Sequence, residues 1–261
     1  MKLFDSHCHI DDKSYNKDFD DVLKRAEEAD VKAMMIAGIT EKSSQRALSL
    51  AENRTGLYIS TGIHPHDAKG FTKESIKGLK VLAKSPKVRA WGETGLDFNR
   101  MYSPKKDQEK CLISQLEAAD ELKLPLIFHE RDSGGRFLEI LNTDYNRELK
   151  GVVHCFSGNE KELNNYLKLG LYIGITGIIT IKTRGEYLRK IAPMIPADRI
   201  LIETDAPYLT PAPEKNHNRR NEPAFVRSTM LKLAEVRNED PVQLSSIIWN
   251  NTCRLYDISG I

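Results

Sequence analysis

The stretch that decides the fold is Leu3–Asp12, LFDSHCHIDD, which contains the first predicted strand and the turn that follows it. In a β-strand the side chains of residues i and i+2 point to the same face, so His7 and His9 would stand side by side. A doubly wound sheet usually has a glycine-rich turn after its first strand. Here that turn reads H-C-H-I-D-D, which favours a barrel.

Short apolar, β-branched runs recur along the chain, and each is followed by a stretch with helical periodicity. Such alternation indicates parallel strands joined by crossover helices. With 261 residues, the chain has the usual size of one such barrel. We expect an α/β fold, a distorted (β/α)8 TIM barrel with an extra C-terminal helix, as a single domain over 1–261. The predicted strands are Leu3–His9, Lys32–Ile39, Leu57–His64, Val88–Asp97, Leu124–Glu130, Gly151–Gly158, Leu171–Gly177 and Ile200–Ala206.

Three helices are predicted with definite bounds. Lys105–Leu122 carries an apolar stripe and follows Ser103-Pro104, which suits a helix start. After the eighth strand a polar, proline-rich loop leads into two further helical stretches, Glu222–Arg237 and Pro241–Asn250.

Composition excludes several classes of protein. Hydrophobic residues make up 40% and charged residues 29% of the chain, and the formal net charge of +2 is too small for a nucleic-acid coat protein. No apolar run reaches the roughly 18 residues that cross a bilayer. The four cysteines form no C-x-x-C pair, as expected of reduced thiols. We therefore expect a cytoplasmic, monomeric protein without a membrane partner.

Polar side chains cluster at the predicted strand ends, which is where barrels perform chemistry. Five of the seven histidines of the chain lie at or just before such an end. The side chains in question are His7 and His9 on strand one, His64 on strand three, Glu93 on strand four, His129 on strand five, His154 on strand six, and Glu203 and Asp205 on strand eight.

A ring of imidazoles and carboxylates on one rim is electrostatically unfavourable without a cation. We predict that His7, His9 and Asp205 hold one ion. His129 and His154 would hold a second ion, and Glu93 would bridge the two. Mixed nitrogen and oxygen ligands suit Zn²⁺, Mn²⁺ or Fe²⁺, whereas Mg²⁺ prefers oxygen. Taken singly, each residue could instead be a hydrogen-bonded core histidine, an ion pair or a turn former.

Metal ions that share a carboxylate activate water, so hydrolysis is the expected reaction. Asp205 is the predicted general base. Glu203 lies two residues earlier on the same face, and it would either orient the water or support a ligand.

Cations near this rim suggest that the substrate carries phosphate. Arg131 follows His129, and the loop after strand eight contains His217, Arg219 and Arg220. His64 and His66 add hydrogen-bond donors. The alternative for the arginine pair is a solvated charged loop. Three nearby aromatic residues, Phe98, Tyr102 and Tyr208, could stack a terminal base, although such residues are more often packing residues.

The ordered motifs of this chain together resemble the TatD family of metal-dependent deoxyribonucleases. The matching segments are D-S-H-C-H, G-I-H-P-H, G-E-T-G-L-D-F-N-R, F-H-E-R-D, H-C-F-S-G, Y-I-G-I-T-G, L-I-E-T-D-A-P-Y-L and R-R-N-E-P, from Asp5 to Pro223. The resemblance implies a (β/α)8 fold and 3′-to-5′ exonuclease action on single-stranded DNA ends. It also implies two divalent ions (Mg²⁺, Zn²⁺ or Mn²⁺), with a third arriving with substrate. The implied ligands are His7, His9, Glu93, His129, His154 and Asp205.

Two alternatives remain at this point. The same metal centre could hydrolyse an amide, ester or lactone, in which case the rim would not need phosphate-binding cations. A protein without turnover, acting in export quality control, would have no need for a bridging carboxylate beside a carboxylate base.

Overall fold

Eight parallel strands form one sheet in the chain order β1 to β8 in the computed structural model, which describes residues 1–145, 147–215 and 220–260. Each strand pairs with the next, so the sheet curls into a barrel. The strands are β1 (Leu3–Cys8), β2 (Val31–Ile36), β3 (Leu57–Thr61), β4 (Val88–Asp97), β5 (Leu126–Arg131), β6 (Gly151–Val153), β7 (Tyr172–Ile175) and β8 (Ile200–Ile202). The predicted (β/α)8 architecture is confirmed.

Helices follow the strands on the outside of the barrel. They are α1 (Phe19–Glu28), α2 (Glu41–Ala51), α3 (Lys73–Leu82), α4 (Lys105–Leu122), α5 (Arg136–Glu139), α6 (Glu160–Lys168), α7 (Glu186–Ile191), α8 (Ala212–Lys215), α9 (Val226–Arg237) and α10 (Pro241–Tyr256). In the described ranges, no helix has both the length and the apolar character needed to cross a bilayer.

Several elements differ from their predicted bounds. The predicted strand Gly151–Gly158 ends at Val153, because the backbone turns towards the rim and Cys155 adopts a left-handed φ of 49°. The predicted helix Glu222–Arg237 begins only at Val226, after a 3₁₀ turn. The last helix continues to Tyr256, since its final turn still buries apolar side chains.

The two ends of the sheet meet at the rim. The amide of Asp205 donates to the carbonyl of His7 at 3.0 Å, and the amide of His9 donates to the carbonyl of Ala206 at 2.7 Å. One layer deeper, the buried carboxylate of Asp5 accepts from the amide and the hydroxyl of Thr204 at 2.9 and 2.6 Å. These bonds fix β1 against β8, so the predicted ligands at their ends lie side by side.

The core has two parts. The larger part lies between the strands and the surrounding helices. A smaller cluster takes side chains from every strand, among them Phe4, Met35, Ile127 and Leu201, and fills the inside of the barrel. Tyr256 at the end of α10 packs against this inner cluster. A filled interior leaves the carboxyl ends of the strands as the place for chemistry.

Candidate metal centre

Glu93, at the middle of β4, is the hub of the site. Its carboxylate is 2% exposed and has imidazoles on both sides. Oε1 lies 2.8 Å from Nδ1 of His129 and 3.4 Å from Nε2 of His64. Oε2 lies 3.4 Å from Nε2 of His7 and 3.8 Å from Nε2 of His9. Because its two oxygens face different histidine pairs, Glu93 has the geometry of a bridging ligand.

The first histidine pair converges as the strand periodicity predicts. Nε2 of His7 and Nε2 of His9 are 3.2 Å apart, and Oδ1 of Asp205 lies 3.4 Å from Nε2 of His9. Asp205 has a left-handed φ of 57°, and its backbone amide donates the hydrogen bond to β1 described above. Its carboxylate therefore points back across the barrel seam.

His154 packs against the first group and also faces Oε1 of Glu93, the oxygen that His129 contacts. Its ring stacks on His7 with a centroid separation of 3.6 Å, whereas the centroids of His154 and His129 are 6.4 Å apart. Nδ1 of His154 lies 2.8 Å from Oε1 of the fully buried Glu203. That contact turns Nε2 towards Glu93 and Asp205, at 3.8 Å from each.

The second group is built from His64 and His129. Nε2 of His64 lies 3.2 Å from Nδ1 of His129, and both face Oε1 of Glu93. On its other side, His129 places Nε2 3.3 Å from Oδ2 of Asp97. The same oxygen lies 2.7 Å from Nε2 of His66. The sequence grouped His129 with His154. The structure adds His64 beside His129, and Nε2 of His154 lies 3.8 Å from the same oxygen, Oε1 of Glu93.

Burial and mutual contacts set the charge of these groups. Burial would raise the pKa of Glu93, but His64, His7 and His154 outweigh it and hold that pKa well below its ordinary value. Burial lowers the pKa of His64 to about 4. Burial would also lower the pKa of His129, but hydrogen bonds with Asp97 and Glu93 raise it to about 9. A low pKa keeps the Glu93 carboxylate in its charged form, which is the form that binds a cation.

The residues present fit divalent cations. Three sets of side chains each have donor atoms within 4.8 Å of one another: His7, His154 and Asp205; His7, His9 and Glu93; and His64, Glu93 and His129. Two ring nitrogens 3.2 Å apart can share only one proton, so the two histidine pairs are better satisfied by a shared cation. Nδ1 of His7 is buried without a hydrogen-bond partner among the described residues.

Only some of the predicted substrate-binding residues that the structure describes are free to contact a substrate at the metal centre. His64 and His66 lie in the second group, and Arg131 is exposed at the end of β5. Arg220 is already paired: its guanidinium bonds both oxygens of Asp18, at 2.6 and 2.8 Å, and Glu222 at 3.1 Å. His217 and Arg219 lie outside the described residues.

Asp97 is the main residue that sequence reasoning missed as part of the site. It is 1% exposed and links His66 to His129. Its other oxygen accepts from the amides of Asn99 and Arg100, at 3.0 and 2.7 Å. The available signal was its place at the end of β4, four residues after Glu93.

Comparisons with known proteins give a consistent result. A family model described as TatD related DNase matches residues 4–257. A protein of Rahnella sp. strain Y9602, named 3′-5′ ssDNA/RNA exonuclease TatD, is 42% identical over 261 residues, which is 99% of each chain. One of the same name from Cronobacter sakazakii is 40% identical over 257 residues, covering 97% of each. The crystal structure of a TatD homologue from Escherichia coli K12 superposes with a TM-score of 0.90 at 30% identity, covering 98% of each chain.

Proposed function

Because the chain belongs to the TatD related DNase family and is thus a metal-dependent nuclease, we propose that it removes nucleotides from the 3′ end of single-stranded DNA. The observation that carries this is the bridging position of Glu93 between two histidine groups. Curated relatives over the full length are named as exonucleases of single-stranded DNA and RNA, which supports the same substrate class.

We propose His7, His9, His154 and Asp205 as ligands on one side of Glu93, and His64 and His129 as ligands on the other. Bound divalent ions would supply an activated water and a polarised phosphodiester. Two ions would suit the two sides of Glu93, and a third would enter with substrate. Mn²⁺ and Zn²⁺ match the nitrogen-rich donors, and Mg²⁺ is the oxygen-preferring alternative.

The protein side chains around the reacting phosphate would have separate tasks. Asp205 is the proposed general base, since its carboxylate contacts His9 and is 15% exposed, so it faces the open rim. Glu203, whose Oε1 lies 2.8 Å from Nδ1 of His154, is proposed to orient that ring. Among the residues that the structure describes, Arg131 is the cation at the rim that we propose for phosphate binding. Arg220, already paired with Asp18 and Glu222, would anchor its loop instead.

The proposal is tested with purified protein loaded with Mg²⁺, Mn²⁺ or Zn²⁺ and a 5′-labelled single-stranded DNA oligonucleotide. A ladder shortened stepwise from the 3′ end is expected, with RNA and duplex DNA run alongside. Asp205→Asn should lower the rate by at least about a hundredfold, and chelation should abolish it. Wild-type protein that leaves the oligonucleotide intact with every metal would exclude this function. An Asp205→Asn variant as active as wild type would exclude Asp205 as the general base.

We further propose a cytoplasmic monomer that forms one domain over 1–261. The four cysteines are unpaired, which suits a reducing compartment. Light scattering on the eluted protein would give a single-chain mass, and a mass twice as large would rule out the monomer.

A further inference from the structure

Two exposed tyrosines flank the metal centre on opposite walls of the barrel. Tyr102 lies in the loop after β4 and is 57% exposed, and Tyr208 lies in the loop after β8 and is 56% exposed. In a barrel of eight strands in sequential order, β4 and β8 are separated by three strands in either direction. The candidate ligands therefore lie between the two rings.

Each tyrosine packs directly against a histidine of the site. The ring of Tyr102 meets His66 edge to face at a centroid distance of 4.7 Å. The ring of Tyr208 meets His9 in a similar arrangement at 6.0 Å. More than half of each tyrosine nevertheless stays exposed.

The backbone beside Tyr102 is held firmly. The hydroxyl of the next residue, Ser103, donates to the carbonyl of His66 at 2.8 Å and accepts from the amide of Lys69 at 2.9 Å. The carbonyl of Ser103 accepts from Nε2 of Gln108 at 2.8 Å. Ser103 is fully buried, so Tyr102 stands on a fixed support.

Tyr208 is fixed in a comparable way. Its amide donates to the carbonyl of Asp205 at 2.8 Å, and its carbonyl accepts from Nδ2 of Asn221 at 2.6 Å. Asn221 is itself fully buried and also bonds the carbonyl of Thr204. The tyrosine is thereby tied to the loop that carries a proposed ligand.

Phe98, the third rim aromatic singled out from sequence, differs from these two. The ammonium group of Lys105 lies over its ring, 4.4 Å from the centroid, and the side chain packs against the core. One face of Phe98 is thus already occupied. Tyr102 and Tyr208 are the rim aromatics that have the exposure needed to receive a ligand.

We propose that Tyr102 and Tyr208 are base-stacking residues for the two nucleotides that flank the scissile phosphate. This inference rests on the proposed function, and it names how the substrate is selected. Unpaired bases have free π-faces that stack on aromatic side chains without regard to sequence. Bases within a duplex are stacked on one another and would have to be extracted first. Rigid platforms on both walls therefore select a single strand.

The test measures kcat/KM for metal-loaded wild type, Tyr102→Leu and Tyr208→Leu on three single-stranded DNA oligonucleotides. One is intact, one lacks the 3′-terminal base, and one lacks the penultimate base. On the intact strand each variant should lose on the order of tenfold, mainly through KM. Each loss should disappear on the substrate that lacks the base bound by that tyrosine. Tyr102→Phe and Tyr208→Phe should retain the wild-type values.

Tyr187→Leu is the matched control, because Tyr187 is also exposed but its hydroxyl accepts from the amide of Glu160, the first residue of α6. Losses that persist on both abasic substrates, or equal losses in the control, would overturn the stacking role.

Anisotropy of a labelled oligonucleotide on chelator-treated protein gives a readout without turnover, and there the Leu variants should bind about tenfold more weakly. A wild type that binds the strand in this assay but leaves it intact when loaded with metal would contradict the nuclease proposal alone. Unchanged binding by the Leu variants would contradict stacking.

Discussion

At the scale of single residues, buried carboxylates contact the imidazoles of His154, His129 and His66. Glu203 holds Nδ1 of His154, and its Oε2 also lies 3.4 Å from the hydroxyl of Ser6. The cavity for this carboxylate requires glycine at position 174, because a Cβ there would lie 2.6 Å from Oε2 of Glu203. The orientation of His154 thus depends on Ser6 on β1, Gly174 on β7 and Glu203 directly after β8.

We expect Glu203→Gln to weaken metal binding by about ten- to a hundredfold, the usual effect of removing a carboxylate that supports a histidine ligand. Gly174→Ala should also weaken metal binding, since the added methyl group would displace the Glu203 carboxylate. Competition with a chromophoric chelator for Zn²⁺ measures the affinity without any turnover.

Gly70→Ala is the control for this pair, because a Cβ at position 70 would have no neighbour within 4 Å. It should bind Zn²⁺ like the wild type. Wild-type affinity in both Glu203→Gln and Gly174→Ala would show that His154 needs no such support.

At the scale of elements, helix α4 positions two strand ends with buried glutamines. Oε1 of Gln115 accepts from the amide of Ile63 at 2.7 Å and from the indole of Trp91 at 3.2 Å, while Nε2 donates to the carbonyl of Ile63. Seven residues and two turns earlier, Gln108 bonds the amide and the carbonyl of Asp97. The ends of β3 and β4 carry His64 and Asp97, so α4 aligns the second group.

Replacing Gln115 by Leu should lower the free energy of unfolding by at least about 2 kcal/mol, because the polar backbone of Ile63 and the indole N–H of Trp91 would be left buried without partners. Urea denaturation measures the change. Gln45→Leu on the exposed face of α2 is the control and should remain within about 0.5 kcal/mol of wild type. Equal effects of the two substitutions would mean that the strand end is held by other contacts.

At the scale of the whole molecule, the near-neutral charge limits how much nucleic acid the surface can hold. The net charge is +2, and Arg220 is neutralised by Asp18 and Glu222. Binding should therefore involve only the few phosphates nearest the metal centre. Specificity would come from the rim and not from a broad basic surface.

We predict a shallow salt dependence for binding of single-stranded DNA, with release of on the order of two to four counterions and a log–log slope between about −1.4 and −2.8. Arg131→Ala should make the slope shallower by about 0.7. Arg220→Ala should leave it unchanged, since that charge is already paired. Titrations at several KCl concentrations give the slope, and a value steeper than about −5 would indicate a far wider contact surface.

Sequence alone determined the barrel and the identity of the rim residues. Strand alternation is a local property, so it places His7, His9, Glu93, His129 and Asp205 within or just beyond the carboxyl-terminal halves of strands without tertiary information. The helix Lys105–Leu122 was likewise predicted with the bounds that the structure gives.

Only the tertiary structure decided how those residues group. His154 lies beyond the end of β6, where the period of two no longer applies, and its direction comes from Glu203 on β8. His64, after β3, meets His129 on β5, and Arg220 is paired with Asp18, 202 residues away in sequence. Such contacts depend on where the backbone turns after each strand and on which charged side chains the fold brings within hydrogen-bonding distance. Neither is encoded in local periodicity.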